Sequence, residues 1–150
     1  MNYRDAEPLD CDWILTCRND PETRNQSFNS KEISLEEHTL WFNRSLTMTN
    51  RKIIIAEYEF TRIGVVRLDY EDVETIEISV FLEPEQRGKG YGQIILKGIN
   101  EYAVEWLPSL KQIVALVKQT NLASIRAFTK LGYIQQHVSV DNIVTFKLTL

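Results

Sequence analysis

The sequence predicts an α/β protein with a mixed, largely antiparallel sheet and helices on both faces. Three observations indicate this class: two helical segments come first, short β-branched runs follow in hairpin order, and strands then alternate with helices. The chain has 150 residues, with 17 basic and 21 acidic side chains and 43% apolar residues. Because it contains no repeat and no low-complexity linker, these values fit a single domain over residues 1–150.

The first expected element is a short helix in the amino-terminal third. Asp10 is a suitable cap for this helix, which should end before Pro21. The residues that share one side of it are Trp13, Ile14 and Cys17. The stretch 23–30 that follows is polar around a single aromatic residue, and we interpret it as a loop.

A second helix is expected to begin after Ser34. Ser34 and Glu37 form an S-x-x-E capping box, in which two backbone N–H groups at a helix start are bonded by side chains. The residues on its broad face are Leu35, His38, Trp41, Phe42 and Ser45. Their spacing is typical of an amphipathic helix that packs on one side.

From residue 53 the apolar pattern changes to that of strands. The β-branched runs 53–58 and 64–68 predict an antiparallel hairpin. In 74–82 apolar residues alternate with others, so this third strand has one apolar face and one face that carries Glu77 and Ser79.

Helices and strands alternate over the rest of the chain. Apolar residues recur at helical spacing from Ile94 to Trp106. The run 113–117 is continuously apolar, as expected for a central strand. Asn121 is a suitable cap for the next helix, and two last strands are expected around 133–138 and 143–150.

A glycine-rich turn joins the third strand to the helix that follows. It consists of Arg87, Gly88, Lys89, Gly90, Tyr91 and Gly92. Alternate glycines let successive N–H groups point at one ligand, and a helix amino terminus favours phosphate oxygens, so the turn predicts a pyrophosphate ligand. A Walker loop is excluded because Lys89 is followed by glycine, and the dinucleotide motif has another glycine spacing.

Composition excludes other classes of protein. A formal charge of -4 and a pI near 5.3 argue against a nucleic-acid partner. No apolar run of about 18 residues is present to span a membrane, and the amino terminus lacks a signal-peptide core, so we expect a cytoplasmic protein. Cys11 and Cys17 match no zinc motif, and no metal is expected.

Two motifs together resemble those of the GNAT N-acetyltransferase family. Arg87-x-x-Gly90-x-Gly92, between a strand and a helix, resembles the family's acetyl-CoA loop. The segment that begins at Asn121 and ends at Tyr133 is similar to the family's N-x-x-[SA]-x-x-x-Y-x-K-x-G-F signature. The resemblance extends from residue 53 to the carboxyl terminus, and it implies an acetyl-CoA-dependent enzyme whose sheet contains a splayed parallel strand pair.

The resemblance also implies which residues bind acetyl-CoA. The main chain at Val80 and Leu82 would pair with the pantetheine arm, and the amides from Gly88 to Gly92, with the charges of Arg87 and Lys89, would bind the pyrophosphate. Asn121 would contact the pantetheine end, a role compatible with helix capping. Two further residues of that segment would line the groove, namely Ser124 and Phe128.

Glu77 is the expected general base, because members of the family use a strand carboxylate to take the proton of the acceptor amine. The family often has a tyrosine where this chain has Phe128, and phenylalanine cannot protonate the departing sulfur. Tyr133 and Tyr91 are weak alternatives, and a thiol of pKa near 8.5 can also leave as the thiolate. No general acid is assigned.

The amino-terminal third resembles the nucleotide-sugar branch of the family, which implies a UDP-linked amino-deoxy sugar as acceptor, used for surface polysaccharides. Arg18, Arg24 and His38 would meet phosphates and Trp41 would stack on a ring, although Trp41 and His38 are equally compatible with structural roles. The loop residues expected at the cleft are Asn25, Phe28 and Asn29. A protein amino terminus as acceptor, a non-catalytic acetyl-CoA sensor and a homodimer all stay open.

Overall fold

Seven strands form one sheet in the computed structural model, which describes residues 1–150. The strands are β1 (Asn2–Asp5), β2 (Arg51–Tyr58), β3 (Thr61–Asp69), β4 (Thr75–Leu82), β5 (Gln112–Lys118), β6 (Ile134–Val138) and β7 (Ile143–Thr149). Their order across the sheet is β1-β2-β3-β4-β5-β7-β6. Only β4 and β5 run parallel, so the mixed, largely antiparallel sheet predicted from the sequence is confirmed.

Helices cover both faces of this sheet. They are α1 (Cys11–Asn19), α2 (Pro21–Asn25), α3 (Leu35–Thr47), α4 (Tyr91–Trp106) and α5 (Leu122–Lys130). Alternate residues of β2 pack into two separate clusters, because successive side chains of a strand point to opposite faces. Ile53 lies with Ile14 of α1 and Phe42 of α3, whereas Ile54 lies in the larger cluster with Ile95 of α4 and Phe128 of α5.

The amino-terminal part differs from the sequence prediction in four places, of which the first is the unpredicted strand β1. Asp10 does not cap α1, because its carboxylate is buried and accepts hydrogen bonds from Arg4 and Arg62. Residues 23–25, expected in a loop, belong instead to α2, since Asp20 caps this short helix. Leu35, expected on the apolar face of α3, is 58% exposed.

The parallel strands β4 and β5 separate along their length. They pair only over Thr75–Glu77 and Gln112–Val114. Beyond these residues β4 continues to pair with β3, and β5 with β7. The main chains of β4 and β5 therefore face each other across a wedge that opens toward their carboxyl ends, as predicted.

Candidate active site

One cavity of about 760 Å³ runs from the wedge to the three amino-terminal helices. Its volume is in the range of small-molecule sites. The predicted site residues that line it are Arg18, Phe28, Asn29, His38, Trp41, Glu77, Val80, Leu82, Arg87, Gly92, Asn121, Ser124 and Phe128. The six predicted residues that do not line it are Arg24, Asn25, Gly88, Lys89, Gly90 and Tyr91.

The glycine-rich turn presents free backbone amides beside this cavity. Gly88 and Gly90 have φ angles of 73° and 84°, in the left-handed region that glycine adopts without strain. The N–H groups of Gly88, Lys89 and Gly90 donate no backbone hydrogen bond within the chain. Gly90 stands at the start of the 16-residue helix α4. The positive end of the helix dipole therefore adds to the attraction of these amides for an anion.

The side chain of Arg87 is turned away from these amides and toward α2. Its guanidinium group donates to Asp20 Oδ2 at 2.7 Å, to Glu22 Oε2 at 2.9 Å and to the hydroxyl of Thr23. The hydrogen bond from Arg87 lowers the pKa of Asp20, because it stabilises the carboxylate. Arg87 thus links the turn to α2. The side chain of Lys89 is exposed and stays near the turn, where its Nζ donates to Gln86 Oε1.

The start of α5 forms one wall of the wedge. Asn121 Oδ1 accepts a hydrogen bond from the Ser124 amide at 3.2 Å, so Asn121 acts as the helix cap. Phe128 lies two turns from the start of α5 on the same side and packs edge-on against Tyr133, with ring centroids 4.9 Å apart. Neither Tyr133 nor Tyr91 lines the cavity, and burial raises the pKa of the Tyr133 hydroxyl.

Glu77 lies where the wedge opens, at the last position of β4 that pairs with β5. Its neighbours Ile76 and Ile78 point into the core with α4, so Glu77 points to the opposite face, toward the amino-terminal helices. Glu77 makes no ion pair with any basic side chain. Its half-buried carboxylate is therefore accessible to a ligand in the cavity.

His38 and Trp41 extend from α3 to the same cavity. His38 Nε2 lies 2.9 Å from the carbonyl oxygen of Cys11, and because a carbonyl only accepts, Nε2 carries the hydrogen. Burial lowers the pKa of His38, so the ring is neutral at pH 7 with its lone pair on Nδ1. Phe28, which is 54% exposed, stands on the loop after α2.

Arg24 and Asn25 hold α2 in place. Arg24 Nε donates to the carbonyl oxygen of Asn19, and the carbonyl of Asn25 accepts from Lys118 Nζ at 2.8 Å. Three charged residues that the sequence analysis did not place in the site also line the cavity, namely Glu22, Glu37 and Arg67. Arg67 had a usable signal, because alternation along 64–68 puts it on the same face as Val65.

Two classes of feature are absent from the structure. No helix is both long and apolar enough to cross a membrane. No three His, Cys, Asp or Glu side chains are grouped so that they could hold a metal ion.

Comparison with known proteins gives a consistent family. A family model described as an acetyltransferase (GNAT) domain matches residues 1–134. The L-methionine sulfoximine/L-methionine sulfone acetyltransferase of Pseudomonas aeruginosa is 27% identical over 138 residues, which cover 88% of this chain and 79% of that protein. The acetyltransferase PseH of Campylobacter jejuni is 24% identical over 127 residues, which cover 85% of this chain and 78% of that protein.

Solved structures agree on the fold. Spermidine N-acetyltransferase from Vibrio cholerae, in complex with CoA and spermine, superposes with a TM-score of 0.90 at 16% identity over 99% of this chain and 94% of that chain. Ribosomal-protein-alanine N-acetyltransferase from Brucella melitensis superposes with a TM-score of 0.81 at 18% identity over the full length of both chains, 100% of each. At these identities the similarity concerns the fold.

Proposed function

Because the chain belongs to the GNAT acetyltransferase family, we propose that it transfers the acetyl group of acetyl-CoA to the amine of a UDP-linked amino-deoxy sugar, for surface polysaccharide biosynthesis. Acetyl-CoA-dependent acetyl transfer follows from the family, and the sugar is the proposed part. The sugar is supported by the amino-terminal third, which is similar to the nucleotide-sugar branch, and by the relationship to PseH. A reaction that uses acetyl-CoA and a sugar nucleotide is expected in the cytoplasm.

The residues of the wedge fit acetyl-CoA. The free amides of Gly88, Lys89 and Gly90 suit its pyrophosphate, and a Cβ at either glycine would meet no protein atom within 4 Å, so a ligand can approach the main chain there. The main chain of β4 around Val80 and Leu82 has no partner strand on the β5 side. Unpaired main-chain groups of this kind suit the amide groups of a pantetheine arm.

Acetyl-CoA supplies the activated acetyl thioester. We infer that Glu77 accepts the proton that the acceptor amine gives up as its nitrogen bonds to the acetyl carbon and the C–S bond breaks. No tyrosine lines the cavity, so none is available to protonate the sulfur. The sulfur therefore leaves as a thiolate, which is an adequate leaving group because the pKa of a thiol is near 8.5. His38 and Trp41 line the cavity, and we expect the neutral ring of His38 and the aromatic face of Trp41 to contact the acceptor.

The observation that carries the proposal is the continuity of the cavity. The same space is lined by Asn121 and Phe128 in the wedge and by Phe28 and Trp41 on the helical side. Phe28 is an exposed aromatic residue that lines this cavity, as expected for a residue that stacks on a base or a sugar.

A second acceptor class is an amino acid. It is supported by the Pseudomonas relatives, which are named for acetylation of two methionine derivatives and share 27% identity over 88% of this chain. An amino acid carries its amine next to a carboxylate, and the cavity offers both acidic and basic side chains, such as Glu77 and Arg67.

Release of free thiol from acetyl-CoA tests the proposal. The purified protein is incubated with a UDP-linked 4-amino-4,6-dideoxy sugar, with L-methionine sulfone, or with a peptide that has a free amino terminus. The proposal expects the highest kcat/KM for the sugar nucleotide. A higher value for the amino acid or the peptide would replace the acceptor, and CoA binding without thiol release for any amine would refute the proposed transfer.

A further inference from the structure

Arg67 lines the cavity, and its side chain makes one ion pair and no hydrogen bond within the protein. It stands opposite Ser79 in the pairing of β3 and β4, and diagonally from Glu77 on the same face of the sheet. Its Nε is 2.8 Å from Asp69 Oδ2, but the N–H does not point at that oxygen, so the contact is an ion pair without a hydrogen bond. The side chain is 37% exposed, and it lines the cavity.

Arg18 approaches the same cavity from α1. Its Nη2 donates to the carbonyl oxygen of Asn29 at 2.8 Å, which fixes the guanidinium group. Its Nη1 is buried and has no hydrogen-bond partner. Arg18 and Arg67 line the same cavity. Burial lowers the pKa of Arg18, and the positive charges of Arg67 and Arg24 lower it further.

The acidic residues that line the cavity do not pair with these two groups. They are Glu22, Glu37 and Glu77, and none of them forms an ion pair with Arg18 or Arg67, so Asp69 is the one carboxylate paired with Arg67. Buried donors in native proteins almost always have a partner, so the unpartnered Nη1 of Arg18 suits an acceptor that also reaches the partly exposed guanidinium group of Arg67.

We propose that Arg18 and Arg67 form an anion subsite in the acceptor half of the cavity, so that the enzyme prefers amines that also carry a carboxylate or phosphate group. This inference rests on the proposed acetyl transfer. Guanidinium groups bind carboxylate and phosphate alike through paired N–H donors. The experiments below distinguish which of these two anions the acceptor carries. A polyamine is disfavoured, because its additional ammonium groups would lie beside two fixed positive charges.

The position of the subsite relative to Glu77 adds a distance requirement. Diagonal neighbours on adjacent strands are about 7–8 Å apart at Cα. Arg67 and Glu77 stand in this relation, so an anion held by Arg67 lies within about one side-chain length of the carboxylate that takes the amine proton. The subsite therefore favours acceptors in which anion and amine are close, as in an amino acid or a compact phosphorylated sugar.

Matched acceptor pairs test the preference. L-methionine sulfone is compared with its amide, and the UDP-linked amino sugar with the same sugar lacking the nucleotide. We expect at least about a tenfold higher kcat/KM for the anionic member of one pair, since a charged hydrogen bond is of this strength. A preference in the first pair identifies a carboxylate, and a preference in the second a phosphate.

Two variants assign the preference to the subsite. Arg67→Gln and Arg18→Gln should each bring the ratio within a pair toward one and leave the KM for acetyl-CoA unchanged. Arg44→Gln, which removes an exposed charge on α3, should keep the ratio. Equal kcat/KM values within both pairs for the wild type, or spermidine as the best acceptor, would refute the subsite. Neither result would contradict the proposed acetyl transfer.

A binding measurement keeps the test independent of turnover. Protein saturated with CoA is titrated with UDP and with L-methionine sulfone in a calorimeter, so that the pyrophosphate site is already filled. The subsite predicts that one ligand binds and that Arg67→Gln weakens it at least about tenfold. Equal affinity for wild type and variant, or no binding of either ligand, would refute the subsite even if no amine is acetylated.

Discussion

Replacement of Glu77 by glutamine should lower kcat by about 10²–10⁴-fold, the usual contribution of a positioned general base. The change preserves shape and removes only the ability to take a proton. Glu77 forms no ion pair and is half-buried, so its replacement should alter the free energy of unfolding by less than about 0.5 kcal/mol. The loss of rate can then be read as a loss of catalysis.

The assay is thiol release from acetyl-CoA at neutral pH, with CoA affinity measured by calorimetry. The variant should lose rate while its CoA affinity is unchanged. Glu37→Gln is the informative comparison, because Glu37 lines the same cavity from α3. An unchanged rate for Glu77→Gln at neutral pH would exclude Glu77, and a loss confined to Glu37→Gln would assign the base there.

Three further predictions concern the turn, α2 and the amino-terminal ion pairs. Gly90→Val should abolish CoA binding in calorimetry, because φ is 84° and the new side chain would occupy the approach to the free amides; undiminished affinity would refute the assignment of the turn. Arg87→Gln should raise the KM for the acceptor more than that for acetyl-CoA, since its side chain contacts α2; the opposite ratio would make Arg87 a phosphate ligand. Asp10→Asn should cost about 2–3 kcal/mol in urea unfolding, as the buried carboxylate accepts from Arg4 and Arg62; a loss below about 0.5 kcal/mol would contradict this account.

The same carboxylate makes stability depend on pH in a defined direction. Burial alone would raise the pKa of Asp10, but hydrogen bonds from Arg4, the Glu7 amide and Arg62 outweigh it and lower the pKa. A lowered folded-state pKa means that the stabilisation is present above the unfolded value, near 3.9, and is lost as the pH falls through the folded value. Asp10→Asn should therefore flatten the acid side of the stability profile.

Much of the sheet was predictable because its signals are local. The alternation in 74–82 and the continuous apolar run 113–117 identify β4 and β5 from short segments alone. β1 has only four residues and exists through its pairing with β2, about fifty positions away, so no local pattern marks it. α2 did carry a signal, since Asp20 followed by Pro21 is a good helix start as well as a good stop.

The site was predictable in its motifs and less so in its side-chain partners. The glycine spacing indicates free amides between Gly88 and Gly90, because that depends on the local backbone alone. The sequence could not indicate that Arg87 pairs with Asp20, 67 positions away, or that Arg67 and Arg18 share a cavity. Such pairings depend on how α1 and α2 pack across the sheet, which no short segment encodes.

The fate of the thiol follows from the same packing. Phe128 stands where the family often has a tyrosine, and the Tyr133 ring packs behind it, out of the cavity, with a buried hydroxyl that has no partner. Because burial raises the pKa of Tyr133, that hydroxyl holds its proton more tightly than a free phenol. A thiolate needs no donor above its pKa near 8.5, so Phe128→Tyr should increase kcat below that pH and have little effect above it. A pH-independent effect of Phe128→Tyr would instead mean that the new hydroxyl orients the acceptor.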